Sequence, residues 1–302
     1  MTQDRPFVGI LFMLGFCILA PLSDAIGKYI GPSIALIILV TMRFVIQAIL
    51  LTPLALRQSQ SLRLPEGLFW PVLIRTILQI FGIGFMFAGL AYLPLADTLT
   101  IAYVMPFLML ILSYFILKEV VGPHRIAACV VGFCGTLLVV QPNFAEVGWP
   151  ALLPVAVAVC YAFFIMITRQ VAKKVDAIHL QTITGWQGSL ILIPIVLLFP
   201  AAPGIAMPWP ETSAILLLGL FGALGTLSHL LITWSLQYAP AATLAPMQYL
   251  EIPVGTLFGW MIFSDLPNGL AAIGICITIT AGLYIILREQ RLSRVPTAPA
   301  EG

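Results

Sequence analysis

The chain has 302 residues, of which 61% are hydrophobic and 9% are charged, and its formal net charge is +2. A soluble domain carries about 25% charged residues, so this composition excludes an ordinary soluble domain and indicates a membrane protein with many spans. It also argues against nucleic acid as a partner, because a binding surface for it would need lysines and arginines clustered on one face.

Ten apolar runs follow one another along the chain, and each is about long enough to cross a bilayer, which takes about 20 largely apolar residues. The runs cover residues 7–27, 34–54, 69–91, 96–117, 123–140, 150–168, 178–199, 212–236, 243–263 and 269–287. The connections between them are short and rich in turn-forming residues. We therefore predict an all-α polytopic membrane protein with ten transmembrane helices.

Basic residues are divided unequally between the two sides of these predicted spans. If the N-terminus is cytoplasmic, that side holds Arg5, Arg57, Arg63, Lys118, Arg125, Arg169, Lys173, Lys174, Arg288, Arg291 and Arg294. The opposite side holds only Lys28. Because cytoplasmic connections carry an excess of lysine and arginine, we predict a bacterial inner-membrane protein with both termini in the cytoplasm. The tail, residues 289–302, is expected to be disordered.

Similar residues recur at an almost constant offset, which indicates an internal duplication. The recurring pairs are Tyr92 and Tyr238, 146 residues apart, and Pro106–Pro253 and Gly135–Gly282, each 147 residues apart. The predicted units are residues 1–145 and 146–288, with five helices in each. Because five is odd, the second unit must cross the membrane upside down. Inverted repeats of this kind are typical of alternating-access carriers, whose binding site lies between the two halves.

A carboxylate, Glu251, lies near the middle of the ninth predicted span. A charged group there costs about 2.5–3.5 kcal/mol on insertion scales, so it usually faces a cavity or a partner. Gln248 shares its helical face. Glu251 is either a structural acid bonded to a neighbouring helix or a substrate ligand or proton acceptor, and we favour the second interpretation. Pro253 frees a backbone carbonyl, and together with Pro106 it is a candidate hinge.

Asp24, Arg43 and Arg75 are further charged residues within predicted spans. Arg43 is in the middle of the second span and Asp24 is near the outer end of the first. If the two helices are neighbours, these side chains could form a structural ion pair or a gate. Arg75, near the inner end of the third span, could attract an anionic group of the substrate or could anchor its helix to lipid headgroups.

A histidine and several aromatic residues complete the set of candidate substrate-binding residues. His229 in the eighth span could relay protons, or it could be a satisfied neutral side chain. Trp186 lies in the middle of the seventh span, too deep for the aromatic residues of the membrane interface. With Tyr103, Trp234 and Tyr249 it could form an aromatic wall for a cationic or planar ligand. Each of these aromatic residues could also be ordinary packing.

The motifs of common enzymes are absent from the sequence. It has no Walker loop, no dinucleotide fingerprint and no Gly-x-Ser-x-Gly elbow. Its five cysteines lie within apolar runs, without metal-ligand spacing. We therefore expect no catalytic residue, no metal and no cofactor, and a membrane-embedded enzyme is only a remote alternative. The expected partners are a small-molecule substrate and the lipid bilayer, in a monomer or homodimer.

The arrangement of ten spans resembles the drug/metabolite transporter superfamily, in its EamA family. The resemblance covers about residues 7–288 and includes Arg43-Phe44 in the second span. It also includes Pro106 followed by Glu119 at the end of the fourth span, with the proline repeated in the second half. The resemblance implies a secondary transporter that moves a small organic metabolite by alternating access.

Within this family, Ser23–Tyr29 and Ala245–Glu251 are similar to stretches of bacterial S-adenosylmethionine uptake carriers. The resemblance implies a central cavity between helices three, four, eight and nine. On those helices lie Glu251, Gln248, Tyr103, His229 and Arg75. A carboxylate with aromatic neighbours suits a sulfonium or an amine. Riboflavin uptake carriers and amino-acid or metabolite exporters share the scaffold and remain alternatives.

Overall fold

The computed structural model describes residues 5–58, 63–92, 98, 101–140, 149–199, 212–263 and 269–294, and their regular structure is entirely helical. Ten helices, α1 to α10, form the bundle. They are Pro6–Ile30, Leu36–Arg57, Phe69–Tyr92, Met105–Leu112, Pro123–Val140, Leu152–Ala172, Ala177–Leu198, Thr212–Tyr238, Glu251–Phe263 and Gly269–Arg294. Within these described ranges, six helices (α1, α2, α3, α6, α7 and α8) are long and apolar enough to span a membrane. The predicted all-α fold with ten helices is confirmed.

Two of the ten helices are interrupted where the sequence predicted continuous spans. The fourth is broken by a turn at Tyr103 and Val104 and ends in a π-helical turn, Ser113–Leu117. The ninth is preceded by a short helical turn, Ala241–Leu244, and a 3-10 stretch, Ala245–Leu250. Irregular backbone at membrane depth is tolerated only where it is buried in protein or lines a water-filled cavity. Residues 241–249 are accordingly all buried.

The last helix is longer than predicted. It continues to Arg294, so residues 289–294 are helical rather than disordered. The sequence of these residues, EQRLSR, is composed mostly of good helix formers, and basic residues are favourable at a helix C-terminus. The remainder of the predicted disordered tail, residues 295–302, lies outside the described residues.

The packing of the helices follows an inverted two-fold relation that exchanges α1 with α6, α2 with α7, α3 with α8, α4 with α9 and α5 with α10. The most extensive contacts are α1 with α8, α3 with α6, α2 with α7 and α5 with α10. The relation converts the contact of α1 with α8 into that of α6 with α3. It converts the contact of α2 with α7 into itself, and likewise that of α5 with α10. It likewise converts the contact of α1 with α9 into that of α6 with α4. Each half of the bundle therefore packs mainly against the other half.

Small residues bring the helices of the two halves close together. A Cβ on Gly135 of α5 would lie 2.9 Å from the backbone oxygen of Gly274 on α10. Such an approach is possible only without a side chain. Gly135 is also one of the residues that recur between the halves, so its repetition has a packing reason.

One end of the bundle, which we call the terminal end, holds the beginning of α1. There the Arg5 N–H donates to the carbonyl of Tyr238 at 2.8 Å, which places the end of α8 beside it. The α7 helix also begins at this end, where the Asp176 carboxylate accepts hydrogen bonds from the N–H groups of Ile178 and His179 at 2.9 and 3.3 Å. This N-cap satisfies donors that the helix itself leaves without partners.

Candidate functional site

A cavity lies between the two halves of the bundle. Its walls come from α1, α2, α3, α6 and α8 and from the broken parts of the fourth and ninth helices. Small-molecule sites combine an apolar wall with a few placed polar groups. This cavity therefore has the kind of lining and the position expected of a transport site between inverted repeats.

Three charged side chains, Asp24, Glu251 and Arg43, line the cavity together. The expected direct ion pair between Asp24 and Arg43 is not formed within 4 Å. Instead, the guanidinium of Arg43 donates from Nη1 to Ser23 Oγ at 3.4 Å and from Nη2 to the Gly225 carbonyl at 3.2 Å. Its terminal nitrogens are thus turned towards α1 and α8, and Asp24 remains directed to the cavity.

Gly225 makes the position of Arg43 possible. A Cβ at this position of α8 would overlap the guanidinium of Arg43. The same guanidinium lies 5.3 Å from the ring centroid of Phe221, a cation–π contact. Arg43 is therefore fixed by a hydroxyl, a carbonyl and an aromatic ring, all from other helices than its own.

The 3-10 stretch before α9 determines which of its side chains reach the cavity. Because a 3-10 helix has three residues per turn, Gln248 and Glu251 lie on one side, and both line the cavity. Tyr249 does not line it, contrary to prediction, because it points towards Tyr103, whose carbonyl accepts its hydroxyl at 3.3 Å. Gln248 Oε1 is buried without a hydrogen-bond partner in the described structure, so an acceptor is available there.

His229 lines the cavity on the side of the terminal end and belongs to a buried amide network. Its Nδ1 lies 3.1 Å from Gln79 Nε2, and its carbonyl accepts a hydrogen bond from Gln181 Nε2 at 2.8 Å. Gln181 also donates to Thr233 Oγ1 at 2.6 Å and accepts at its own carbonyl from Gln47 Nε2 at 2.7 Å. This network joins α2, α3, α7 and α8 and fills the space between the cavity and the terminal end.

The remaining predicted site residues lie outside the cavity. Trp186 is 45% exposed on the outer surface of α7, where its Nε1 donates to Thr52 Oγ1 at 3.0 Å. Trp234 packs against Phe12, with ring centroids 5.3 Å apart. Neither tryptophan therefore belongs to the predicted aromatic wall. Arg75 is fully buried away from the cavity.

Of the residues predicted for the aromatic wall, only Tyr103 lines the cavity, and the other rings of the wall were not predicted. The rings that line it are Phe16, Phe87, Tyr103, Tyr161 and Phe221. The candidate hinges Pro106 and Pro253 fall within the first turns of α4 and α9, directly after the two interruptions. A proline is tolerated there because the first N–H groups of a helix have no helical partner.

The terminal end is closed by polar contacts that sequence reasoning missed. Arg169 at the end of α6 pairs with Glu119 at 3.2 Å and donates from Nη1 to the Leu236 carbonyl at 2.7 Å. The Glu119 carboxylate accepts hydrogen bonds from the N–H groups of Ala241 and Ala242 at 3.3 and 3.1 Å. In the sequence these two charges resembled ordinary surface charges at helix ends, 50 residues apart, and no local pattern connects them.

Comparison with known proteins gives a consistent result. The model of the EamA-like transporter family matches residues 7–141 and 148–288. A riboflavin transporter of Rhizobium johnstonii is 32% identical over 227 residues, 75% of this chain and 73% of that protein. An S-adenosylmethionine uptake transporter of Rickettsia prowazekii is 23% identical over 285 residues, 94% of each chain. A riboflavin transporter of Vibrio cholerae is 27% identical over 297 residues, 97% of each chain.

One solved crystal structure of a protein shares the fold, with a TM-score of 0.75 at 21% identity over 94% of this chain and 97% of that one. The family match covers both halves of the bundle that enclose the cavity. The chain therefore belongs to the EamA-like transporter family of the drug/metabolite transporter superfamily, and it is a multi-pass membrane transporter of small organic metabolites.

Proposed function

We propose that the chain is a secondary carrier that takes up a cationic heteroaromatic metabolite, with S-adenosylmethionine or a close relative as the first candidate. The observation that carries the proposal is that Asp24 and Glu251 face one cavity together with a single guanidinium, that of Arg43. When both acids are ionised, the cavity has an excess of one negative charge. An ionised group that is removed from water needs an opposite charge, so a cationic solute suits this cavity.

The chemistry of S-adenosylmethionine matches the groups that line the cavity. Its sulfonium and ammonium groups suit the two carboxylates, and its carboxylate suits Arg43. The Gln248 Oε1 acceptor provides a further position for the ammonium group. The adenine ring suits the aromatic side chains, which also attract cations. Relatives named as S-adenosylmethionine uptake transporters, which match 94% of the chain, support this assignment.

Riboflavin is the second candidate, and sequence similarity favours it. The relatives named as riboflavin transporters include one at 32% identity. Riboflavin is uncharged, so its flat ring would stack on the aromatic wall and its hydroxyls would donate to the carboxylates. Transport of riboflavin therefore needs acceptors at positions 24 and 251 but no negative charge.

We propose that the carrier lies in the bacterial inner membrane with the terminal end facing the cytoplasm. The excess of basic residues on that side supports this orientation. Transport proceeds by rocking of the two halves around the cavity, with bending at the irregular stretches that precede Pro106 and Pro253. Helices of both halves of one chain enclose the cavity, so a monomer suffices for transport.

Uptake of radiolabelled S-adenosylmethionine and of radiolabelled riboflavin into cells tests these assignments. The cells express the wild type, Glu251→Gln, Glu66→Gln as an exposed matched control, or an empty vector, with the amount of protein in the membrane measured for each. We expect S-adenosylmethionine uptake above the vector, and a loss of about tenfold or more in Glu251→Gln alone, which corresponds to about 1.4 kcal/mol.

The other outcomes distinguish the candidates. Riboflavin uptake that persists in Glu251→Gln identifies the uncharged substrate. If neither compound enters cells above the vector level, both substrate assignments are wrong, and export assays with amino acids and their toxic analogues follow.

A further inference from the structure

A fully buried arginine, Arg75, lies between the cavity and the terminal end. Its Nε donates to Thr168 Oγ1 and its Nη1 to Thr184 Oγ1, both at 2.7 Å. Its guanidinium lies 4.5 Å from the ring centroid of Phe164. Nη2 has no hydrogen-bond partner, and no carboxylate of the described residues pairs with the guanidinium.

Burial of the Arg75 guanidinium without an acidic partner costs free energy. A buried cation is normally paired with an acid, because the attraction of the pair offsets the loss of hydration. The two threonine hydroxyls and the face of the Phe164 ring offset only part of the hydration that the Arg75 guanidinium loses on burial. In membrane proteins an ionisable residue of this kind usually serves a function, and the unused Nη2 leaves one donor for a ligand.

The three helices that hold Arg75 correspond, through the inverted repeat, to the three helices that hold Arg43. Arg43 joins α2 to Ser23 on α1 and to Gly225 on α8. Arg75 joins α3 to α6 and α7 through its two threonines. The two-fold relation converts the trio α1, α2 and α8 into the trio α6, α7 and α3. Each trio therefore contains one arginine, and each arginine also lies over the ring of a phenylalanine.

The two arginines also lie at similar depths, measured from opposite ends of the bundle. Arg43 is seven residues from the start of α2, and Arg75 is six residues from the start of α3. Consecutive helices run in opposite directions, so these helices start at opposite ends. In an inverted-repeat carrier, the second state is reached when the two halves exchange their arrangements. The two-fold relation exchanges α3 with α8, and the offset of 146 residues that relates Tyr92 to Tyr238 makes Phe221 the equivalent of Arg75. Phe221 lines the cavity in this structure, so its place in the cavity wall is available to Arg75 in the other state.

We infer that Arg75 is a second anion-binding subsite, which lines the pathway when the carrier opens towards the terminal end. It receives a carboxylate or a similar singly charged anionic group of the solute, as Arg43 does on the opposite side. The inference rests on transport by the chain, but not on the identity of the solute. Release towards the terminal end then passes through a contact with Arg75.

Side-specific thiol labelling tests this subsite without any solute. The native cysteines are first replaced by alanine at positions 17, 129, 134, 160 and 276, and Thr184→Cys is then introduced. Membrane vesicles of both orientations are treated with methanethiosulfonate reagents that carry either a sulfonate or a trimethylammonium group. Ser23→Cys, beside Arg43, is the matched control, and Thr168→Cys is a second reporter beside Arg75. Thermal unfolding and the amount of protein in the membrane are measured for each variant.

We expect the thiol at position 184 to react from the terminal end and the thiol at position 23 from the opposite end. Relative to the rates with free cysteine, the sulfonate reagent reacts about tenfold or more faster than the cationic reagent at position 184. In an Arg75→Gln background this preference disappears, while the relative rates of the two reagents at position 23 are unchanged.

Two results overturn the inference. One is that neither the thiol at position 184 nor that at position 168 reacts from the terminal end. The other is that the preference for the anionic reagent is unchanged in Arg75→Gln. Failure of S-adenosylmethionine and riboflavin uptake alone would reject the proposed substrates and leave the subsite intact.

Discussion

Arg169 and Glu119 form an ion pair, with 3.2 Å between Nε and Oε1, that ties the ends of α6 and α4 to the connection between α8 and α9. Arg169 holds the last carbonyls of α8, and Glu119 holds the first N–H groups of the short helical turn that follows. His229 at the cavity is nine residues from the end of α8, roughly 13 Å along the helix. The pair therefore closes the terminal end well away from the cavity.

The Glu119→Gln variant is expected to loosen this closure. The two side chains are 3% and 13% exposed, so the substitution leaves a poorly hydrated guanidinium facing an uncharged amide. We expect a loss of about 1–3 kcal/mol in the free energy of unfolding, measured by denaturation in detergent. We also expect faster labelling of Thr184→Cys from the terminal end. Glu66→Gln, an exposed acid at the same end, is the control, and equal effects in the two variants would contradict a closing role.

Gly225→Ala is expected to abolish transport by displacing Arg43. The new methyl group would overlap the guanidinium, and overpacking of this kind costs about 1–3 kcal/mol. Gly219→Ala on the same helix is the matched control, because a Cβ there has no neighbour within 4 Å. Uptake and thermal stability are measured for both variants. Wild-type uptake by Gly225→Ala would show that the position of Arg43 has no importance for transport.

Gln181→Leu is expected to destabilise the bundle beneath the cavity. The substitution removes the donor to the His229 carbonyl and to Thr233, and it leaves a shorter, apolar side chain in a polar site. Loss of one partner from a buried hydrogen bond costs about 1–3 kcal/mol. Thermal unfolding in detergent measures the change, with Gln58→Leu at the exposed end of α2 as the control. A change of equal size in both variants would reject the network as a source of stability.

Pro253→Ala is expected to slow transport several-fold without loss of protein from the membrane. An alanine N–H at this position can bond the carbonyl of Tyr249, which extends α9 backwards and stiffens the 3-10 stretch. Transport rate at saturating substrate is the measurement, because hinge changes act on the turnover step. Pro194→Ala, an exposed proline within α7, is the control. An unchanged rate in Pro253→Ala would remove Pro253 from the hinge.

Much of the fold was accessible from the sequence. Apolar runs of about 20 residues identify spans because a bilayer imposes their length, and an odd number of helices per repeat imposes the inversion. Buried charge is similarly informative, since Glu251, Asp24 and Arg43 all line the cavity. The sequence did not predict how each helix is rotated about its own axis, and therefore which side chains face the cavity. The lipid and the cavity wall are both apolar, so hydropathy does not distinguish the exposed Trp186 from the cavity-lining Tyr161.

Contacts between distant segments were equally inaccessible. The positions of Ser23 and Gly225 around Arg43 depend on which helices are neighbours, and no periodicity reports this. Arg75 was recognised as a candidate for anion attraction, but its threonine partners lie 93 and 109 residues further along the chain.

The π-helical turn Ser113–Leu117 determines the direction in which Glu119 points. A π turn contains one residue more than an α turn, so the chain after it is rotated by about 100° relative to an uninterrupted α-helix. Lys118 then adopts the left-handed conformation, with a φ of 56°, and the Glu119 N–H donates back to the Ser113 carbonyl at 3.1 Å. Deletion of one residue here would turn the carboxylate away from Arg169 and from the N–H groups of Ala241 and Ala242. This segment is therefore less tolerant of a change in length than of a change in side chain.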